Sequence, residues 1–285
     1  MRHLYACQIR WADLDMLGHV NNVTYVDYIQ EARADMFRTH APDRKDALVE
    51  GALIIRNSVT YAAPLGLRDS VAIEIWVTEI RAASFTVAYE VFDIDEAGER
   101  VVFLRASSVT APFVFADGRP RRLTEAEVEV LEKFLEPEAT APPVRFTTPA
   151  PERTHLWEAN VRFTDVDAYQ HVNNVTYFEY FQEARISAFR RMFAEVAPDE
   201  GLSVVVAQMD VDYKRPIAMR QEPYDVRSWI SRVGGSSYDV CAEIVDGGTV
   251  LARSRATLVT FDAATQRAAQ PSDAYRKVLL EHLVA

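Results

Sequence analysis

Between residues 22 and 38 apolar side chains recur at spacings of mostly three and four, at Val23, Val26, Ile29, Met36 and Phe37. Between residues 174 and 192 they do so again, at Val175, Phe178, Phe181, Phe189 and Met192. That period predicts a helix of four to five turns in each place, starting at about Asn22 and Asn174. Tyr25, Tyr28 and Ala32 lie on its other faces and make the first helix apolar nearly all round, which predicts burial. A short strand ending near Trp11 or Phe163, then a polar turn, precedes each helix. After the first come four strand-like runs, 52–61, 70–80, 84–94 and 100–115, rich in Val, Ile, Phe and Tyr and separated by Gly or Asp turns. A shorter amphipathic helix closes each half. In the first, Thr124 and Glu127 form a capping box ahead of Val128, Val130, Leu131 and Leu135; in the second, Ser272 precedes Tyr275, Val278, Leu279 and Leu283. One strand, a long buried helix and four further strands describe an α+β unit, a five-stranded antiparallel sheet wrapped around one helix.

The two halves are copies. Residues 10–38 return at an offset of 152 with 17 identities in 29 positions, and Tyr61 and Pro64 fall on Tyr213 and Pro216. Further on the register slips by one, aligning Ser84-Phe85 with Ser237-Tyr238, and shifts back at a shorter hairpin, Asp246-Gly247-Gly248. Insertions confined to turns are what two copies of one fold should show. A Pro/Ala-rich stretch separates them. The expected organisation is a first domain over 1–136, a linker over 137–152 and a second domain over 153–285, which suits a chain of 285 residues.

Composition narrows the partners. Hydrophobic residues make up 49% and charged residues 26%, as in an ordinary globular protein. A net charge of -11 disfavours nucleic acid and anionic membrane surfaces as partners. The N-terminus carries no signal-peptide core and no run of about 18 apolar residues occurs, so a cytoplasmic protein is expected. Cys7 and Cys241 sit in strand-like stretches with no metal or redox spacing around them, and read as small buried hydrophobes. His3, His19, His40, His155, His171 and His282 show no metal-ligand spacing, the Gly pairs at 234–235 and 247–248 read as turns, and neither a metal nor a cofactor is expected.

The repeated element is Asp13-Leu-Asp15-x-x-Gly-His19-Val-Asn21-Asn22-x-x-Tyr25 with Glu31-Ala-Arg33, matched by Asp165-Val-Asp167-x-x-Gln-His171-Val-Asn173-Asn174-x-x-Tyr177 with Glu183-Ala-Arg185. It strongly resembles the hotdog-fold acyl thioesterases of the 4-hydroxybenzoyl-CoA thioesterase type, and is similar to the acyl-acyl carrier protein thioesterases. The resemblance implies two tandem hotdog domains forming an internal pseudo-dimer, with active sites at the seam. It also implies that Asp15 and Asp167 are the catalytic carboxylates, that His19 and His171 assist them, and that the amides near Asn22 and Asn174 polarise the carbonyl.

Physical chemistry reads the same residues independently. Thioester hydrolysis needs a carboxylate to activate water or attack the carbonyl, and donors for the developing oxyanion. Asp15 and Asp167 lie seven residues before Asn22 and Asn174, where a helix start offers free N–H groups and its dipole. Asn21, Asn22, Asn173, Asn174, Tyr25 and Tyr177 complete the candidate substrate-binding set, although the asparagines are equally ordinary N-cap residues. Asp13 and Asp165 read as turn-stabilising residues. For His19 and His171, a turn histidine bonding a backbone carbonyl has equal weight with proton exchange.

Leu17 and Tyr169 replace the Asn of the carrier-protein thioesterase pattern, and no counterpart of the plant Glu occurs near Pro64 or Pro216, which favours an Asp-only mechanism. Glu31 and Glu183 lie about 13 Å along the helix, too far for the same carbonyl, and are read as buried partners of Arg33 and Arg185 or their neighbours. Arg119-Pro120-Arg121-Arg122 and Lys214-Arg215 read as solvated surface, with coenzyme A phosphates as the alternative. The expected activity is an acyl-CoA or acyl-acyl carrier protein thioesterase. The alternatives are a hotdog enoyl-thioester hydratase or dehydratase and a non-catalytic acyl-thioester binder. Since Gly18 faces Gln170 and Leu17 faces Tyr169 across the repeat, one of the two sites could be silent.

Overall fold

The computed structural model describes residues 1–40, 51–114, 119–138, 143, 147–167, 170–196, 202–262, 264–265 and 267–284. Residue 115 of the fourth expected strand, Ala168, Tyr169, and residues 139–142 and 144–146 of the expected linker lie outside them. The chain divides into two compact units, Met1–Pro142 and Pro143–Ala285. Among the described residues no helix is long and apolar enough to cross a membrane.

The first unit runs β1 (His3–Gln8), α1 (Thr24–His40), β2 (Ala52–Tyr61), β3 (Ser70–Arg81), β4 (Ser84–Ile94), β5 (Arg100–Val114), β6 (Arg119–Pro120) and α2 (Glu125–Glu132). Its antiparallel strands lie in the order β1-β3-β4-β5-β2, with β6 added beside β5. Alternation along the strands decides the faces. Ile73, Ile75, Val77, Phe85, Val87, Tyr89 and Val91 are buried, and on this side the Phe37 ring of α1 meets Phe85 edge-on at 5.9 Å. The opposite side carries an ionic ladder in which Arg100 bridges Glu74 and Glu90, and Arg105 also reaches Glu90.

The second unit repeats the plan with β7 (His155–Ala159), α3 (Thr176–Met192), β8 (Leu202–Tyr213), β9 (Tyr224–Val233), β10 (Ser237–Asp246), β11 (Thr249–Asp262), β12 (Arg267–Ala268) and α4 (Asp273–Glu281). The strand order β8-β11-β10-β9-β7 is the same path, with β12 beside β11. Each unit is therefore a five-stranded antiparallel sheet around one long helix, the hotdog arrangement in tandem. The short second hairpin closes through Gly247 and Gly248, both at positive φ, a two-residue turn that only glycine enters without strain.

Three details differ from the sequence pattern. Strand β1 ends at Gln8, and Trp11–Asp13 forms a 3-10 turn that leaves Trp11 80% exposed, as Phe163 is 78% exposed in the other unit. Regular helix starts at Thr24 and Thr176, two residues later than expected, because Asn21 and Asn173 make the entry turn. The long helices are not apolar all round: Asp27, Glu31 and Arg38, and their equivalents Glu179, Glu183 and Arg190, form a solvent-facing stripe.

The described flanks of the expected linker are anchored to their own units. Trp76 Nε1 donates to Glu138, and Thr148 Oγ1 donates to Glu243 at 2.5 Å. The capping box forms as written, with Glu127 N donating to Thr124 Oγ1 and Thr124 N to Glu127, whose carboxylate also takes a two-pronged bond from Arg121. Cys7 and Cys241 are buried and unlinked, and burial pushes both thiols up to about 11, so neither is a thiolate near neutrality.

Candidate active site

Asp13 and Asp165 fasten the site loop. Asp13 Oδ2 accepts from Arg10 N at 2.7 Å and from the Tyr28 hydroxyl at 2.6 Å, and its carbonyl accepts from Asn21 N at 2.9 Å. Asp165 repeats this with Arg162 N, Tyr180 and Asn173 N at 2.8, 2.6 and 2.8 Å. One carboxylate thus ties the loop's start, the helix body and the helix entry together. Burial, with the neighbouring aspartate, holds the Tyr28 and Tyr180 hydroxyls protonated far above the ordinary phenol range.

Asp15 closes the next, tighter turn. Its N donates to His19 O at 2.8 Å, its carbonyl accepts from Gly18 N, and Oδ1 accepts from Leu17 N at 2.8 Å and His19 N at 3.3 Å. Oδ2 carries no hydrogen bond among the described residues. In the second unit Asp167 N donates to His171 O at 2.8 Å and Asp167 Oδ1 accepts from His171 N at 3.3 Å. Gly18 sits at φ 75 and its counterpart Gln170 at φ 63, the left-handed region that favours glycine.

The histidines of the motif hold the turn through their main chain. Main-chain bridges link His19 to Gly66 and His171 to Ala218, beside the bonds Val20 N to Leu65 O and Val172 N to Ile217 O. The His19 ring forms no hydrogen bond among the described residues, so the turn-histidine reading, in which the ring bonds a backbone carbonyl, does not describe it.

At the helix entry the two asparagines divide the work. Asn21 Oδ1 accepts from Val23 N at 2.9 Å, and Asn173 Oδ1 from Val175 N at 3.0 Å, the cap role. Asn22 and Asn174 accept on their carbonyls from the Tyr61 and Tyr213 hydroxyls, each at 2.8 Å. Their side-chain Nδ2 atoms are buried without a partner, and their main-chain N–H groups donate no bond among the described residues. A buried donor left without an acceptor costs about 1–3 kcal/mol, and the same pair of donors is left open in both units.

Tyr25 and Tyr177 are core residues, each 3% exposed. The Tyr177 hydroxyl accepts from Ile217 N at 3.0 Å, the Leu65 backbone meets Tyr25 in the same way, and burial raises both phenols above their ordinary range. Their rings stack edge-on against Tyr61 and Tyr213 at 5.7 and 5.0 Å. Tyr61 and Tyr213 were missing from the expected set, although their return in register with Pro64 and Pro216 was the available signal.

Glu31 and Glu183 correct the expectation of buried ion pairs: both are exposed, on the solvent stripe. Arg33 instead donates to the Tyr89 hydroxyl at 3.1 Å. Among the candidate phosphate contacts, Arg121 is held by Glu127 at 2.6 Å and Lys214 by Asp212 at 3.2 Å, whereas exposed Arg215 has no carboxylate partner among the described residues.

The sequence matches the Thioesterase-like superfamily over residues 9–134 and again over 161–279. It is 38% identical over 80 residues to the uncharacterised protein YsmA of Bacillus subtilis, over 28% of this chain and 53% of YsmA, so that the match spans about half the length of that relative. It is 29% identical over 120 residues to the long-chain acyl-CoA thioesterase FadM of Escherichia coli, over 39% of this chain and 86% of FadM. Among solved structures, a protein of Lactobacillus plantarum described as an oleoyl thioesterase shares the fold with a TM-score of 0.75 at 13% identity, over 92% of this chain and 97% of that one.

Proposed function

Because this chain belongs to the thioesterase-like superfamily, we propose that it hydrolyses an acyl thioester to a free acid and a thiol, with Asp15 and Asp167 as the reacting carboxylates. One observation carries the assignment of residues. In each unit, a carboxylate pinned by its own turn is followed, seven residues on, by the helix entry, where the buried Nδ2 of Asn22 or Asn174 has no acceptor. Donors fixed in advance and aimed at a developing charge need no reorganisation when the reaction occurs.

The turn fixes one oxygen of Asp15 and leaves Oδ2 to work. Acting as a base, it takes a proton from water, whose oxygen forms a bond to the thioester carbonyl carbon. Acting as a nucleophile, it forms an anhydride that water then opens. On either path the carbonyl oxygen gains charge, which the helix-start N–H groups and the positive end of the helix dipole stabilise. Collapse breaks the C–S bond, and a thiolate whose conjugate acid has a pKa of about 8.5 leaves with little acid assistance. Asp13, Asp165, Tyr25, Tyr61, Tyr177 and Tyr213 hold this geometry without touching the reacting atoms. We read His19, whose ring forms no hydrogen bond among the described residues, and its counterpart His171 as the groups that exchange the proton with solvent.

The substrate class we infer is an acyl-coenzyme A ester, as the name of FadM states for that protein, with acyl-acyl carrier protein as the other carrier. The test is thiol release from a panel of acyl-CoA and acyl-carrier-protein esters. The double variant Asp15→Asn, Asp167→Asn is expected to lose at least a hundredfold in kcat, in line with removal of a general base at about 10²–10⁴, while keeping its circular dichroism spectrum. Turnover equal to that of the parent chain overturns the assignment. Hydration of an enoyl-CoA without thiol release would instead identify a hydratase.

A further inference from the structure

Among the differences between the two copies, one beside the site loop bears on what the site can bind. Lys214 and Arg215 of the second unit stand where the first has Ala62 and Ala63, between the shared Tyr61/Tyr213 and Pro64/Pro216. The backbone is the same in both: the amides of Ala62 and Ala63 donate to Phe103 O, and those of Lys214 and Arg215 to Leu251 O. The segment then continues directly into the residues that clasp the site loop, Ile217 bonding Val172 and Ala218 bridging His171. Arg215 is two residues before the first of these contacts, within about 7 Å of extended chain.

Charge makes this placement informative. Lys214 Nζ is shared with Asp212 at 3.2 Å. The Arg215 side chain is exposed and forms no ion pair among the described residues, in a chain whose net charge is -11. An uncompensated guanidinium presents a rigid fork of donors suited to a phosphate. The equivalent basic position of the first unit is a methyl group.

We propose that Arg215, supported by Lys214, forms a phosphate-binding subsite at the mouth of the second unit's site, and that the first unit has no such subsite. The substrate's carrier arm supplies the anion, whether coenzyme A or the phosphopantetheine of a carrier protein. The two aspartates then differ in carrier preference: the Asp167 site discriminates in favour of phosphate-bearing thioesters, and the Asp15 site does not by this means. The inference rests on the thioesterase reading above.

The experiment compares one acyl group on coenzyme A, on carrier protein and on N-acetylcysteamine, which has no phosphate. The full chain is used with Asp15→Asn or Asp167→Asn to isolate each copy. In the Asp15→Asn chain, Arg215→Ala is expected to raise KM for the coenzyme A ester about three- to tenfold, equivalent to losing one charged contact. Its kcat should stay within about twofold, so the preference over the N-acetylcysteamine ester falls by the same factor. Arg215→Lys should restore part of that preference. In the Asp167→Asn chain, Ala63→Arg should create it. Loss on the coenzyme A ester alone assigns the subsite to the nucleotide phosphates, and equal loss on both carriers to the pantetheine-linked phosphate.

An unchanged preference in the Asp15→Asn, Arg215→Ala chain overturns the proposal. So does an equal change when only Asp15 is active, or complete loss of hydrolysis in Asp15→Asn alone. If the parent chain cleaves none of the three esters, the thioesterase reading itself fails, which is a separate result.

Discussion

Two aspartates separated by a single residue perform different tasks, and their hydrogen bonds tell them apart. Asp13 Oδ2 accepts from both Arg10 N and the Tyr28 hydroxyl, tying the loop to the helix, while Asp15 Oδ1 accepts from Leu17 N and His19 N within its own turn. Replacing Asp13 with Ala strands a phenol and an amide, so a loss of about 1–3 kcal/mol is expected, read as a lower urea midpoint; an unchanged midpoint contradicts the fastening role. Gln170 offers a second test. The left-handed conformation costs a non-glycine residue about 1–2 kcal/mol, and glycine's extra chain entropy offsets about 0.5–1 kcal/mol of that. Gln170→Gly should therefore stabilise the chain by roughly 0.5–1 kcal/mol, and Gly18→Gln should destabilise it comparably. Equal melting temperatures for parent and Gln170→Gly would show that the loop relaxes instead.

At the scale of elements, strand boundaries followed closely from hydropathy, because alternation and Gly or Asp turns are local properties. The helix starts did not, since Asn21 and Asn173 are committed to an entry turn that bonds back to Asp13 and Asp165 at the start of the same loop. Contacts between element ends lay further from view. His3 at the start of β1 bonds Asp35 at 2.9 Å and His40 at 3.1 Å, both at the end of α1. At the repeat-equivalent place in the second unit, His155 meets His282 beyond α4 at 3.3 Å. Burial, then the facing His3 and Lys133, depress the His40 pKa, with Asp35 opposing. Burial, His282 and Arg191 depress that of His155. A depressed histidine is neutral in the folded chain while the unfolded chain binds the proton, so stability is full above the ordinary histidine pKa of about 6.5 and falls as pH drops below it. Urea midpoints measured from pH 7.5 to 5 should decline, and His40→Gln should flatten part of that slope; a parallel slope in the variant would refute the linkage.

For the whole molecule, duplication means that each proposed reacting group exists twice within one chain. If both copies turn over, Asp15→Asn and Asp167→Asn should each retain about half of kcat on a carrier-free thioester, well above the hundredfold loss expected of the double variant. Retention of nearly all activity in one single variant, and nearly none in the other, would show that one copy is silent. Near the site, the described parts of the two copies differ at the left-handed Gln170 and at the basic pair 214–215, among other positions.

The repeat and the α+β plan of each unit were legible in the sequence alone, and its motif marked Asp15 and Asp167 as candidates, because periodicity and a motif of fixed spacing are written along the chain. Tertiary structure decided which polar groups are already engaged. It consumed Asp13 and Asn21 in fastening the loop, buried Tyr25 and Tyr177 in the core, turned Glu31 and Glu183 to solvent, and recruited Tyr61 and Tyr213 from a distant strand end. Some of those partners are near in sequence, but the Tyr28, Tyr61 and Tyr177 hydroxyls reach partners 15, 39 and 40 positions away. Which donors remain open is therefore a property of the folded contacts: Asn22 Nδ2 and Asn174 Nδ2 at the helix entry are buried without a partner, and Arg215 beside the second site loop is exposed.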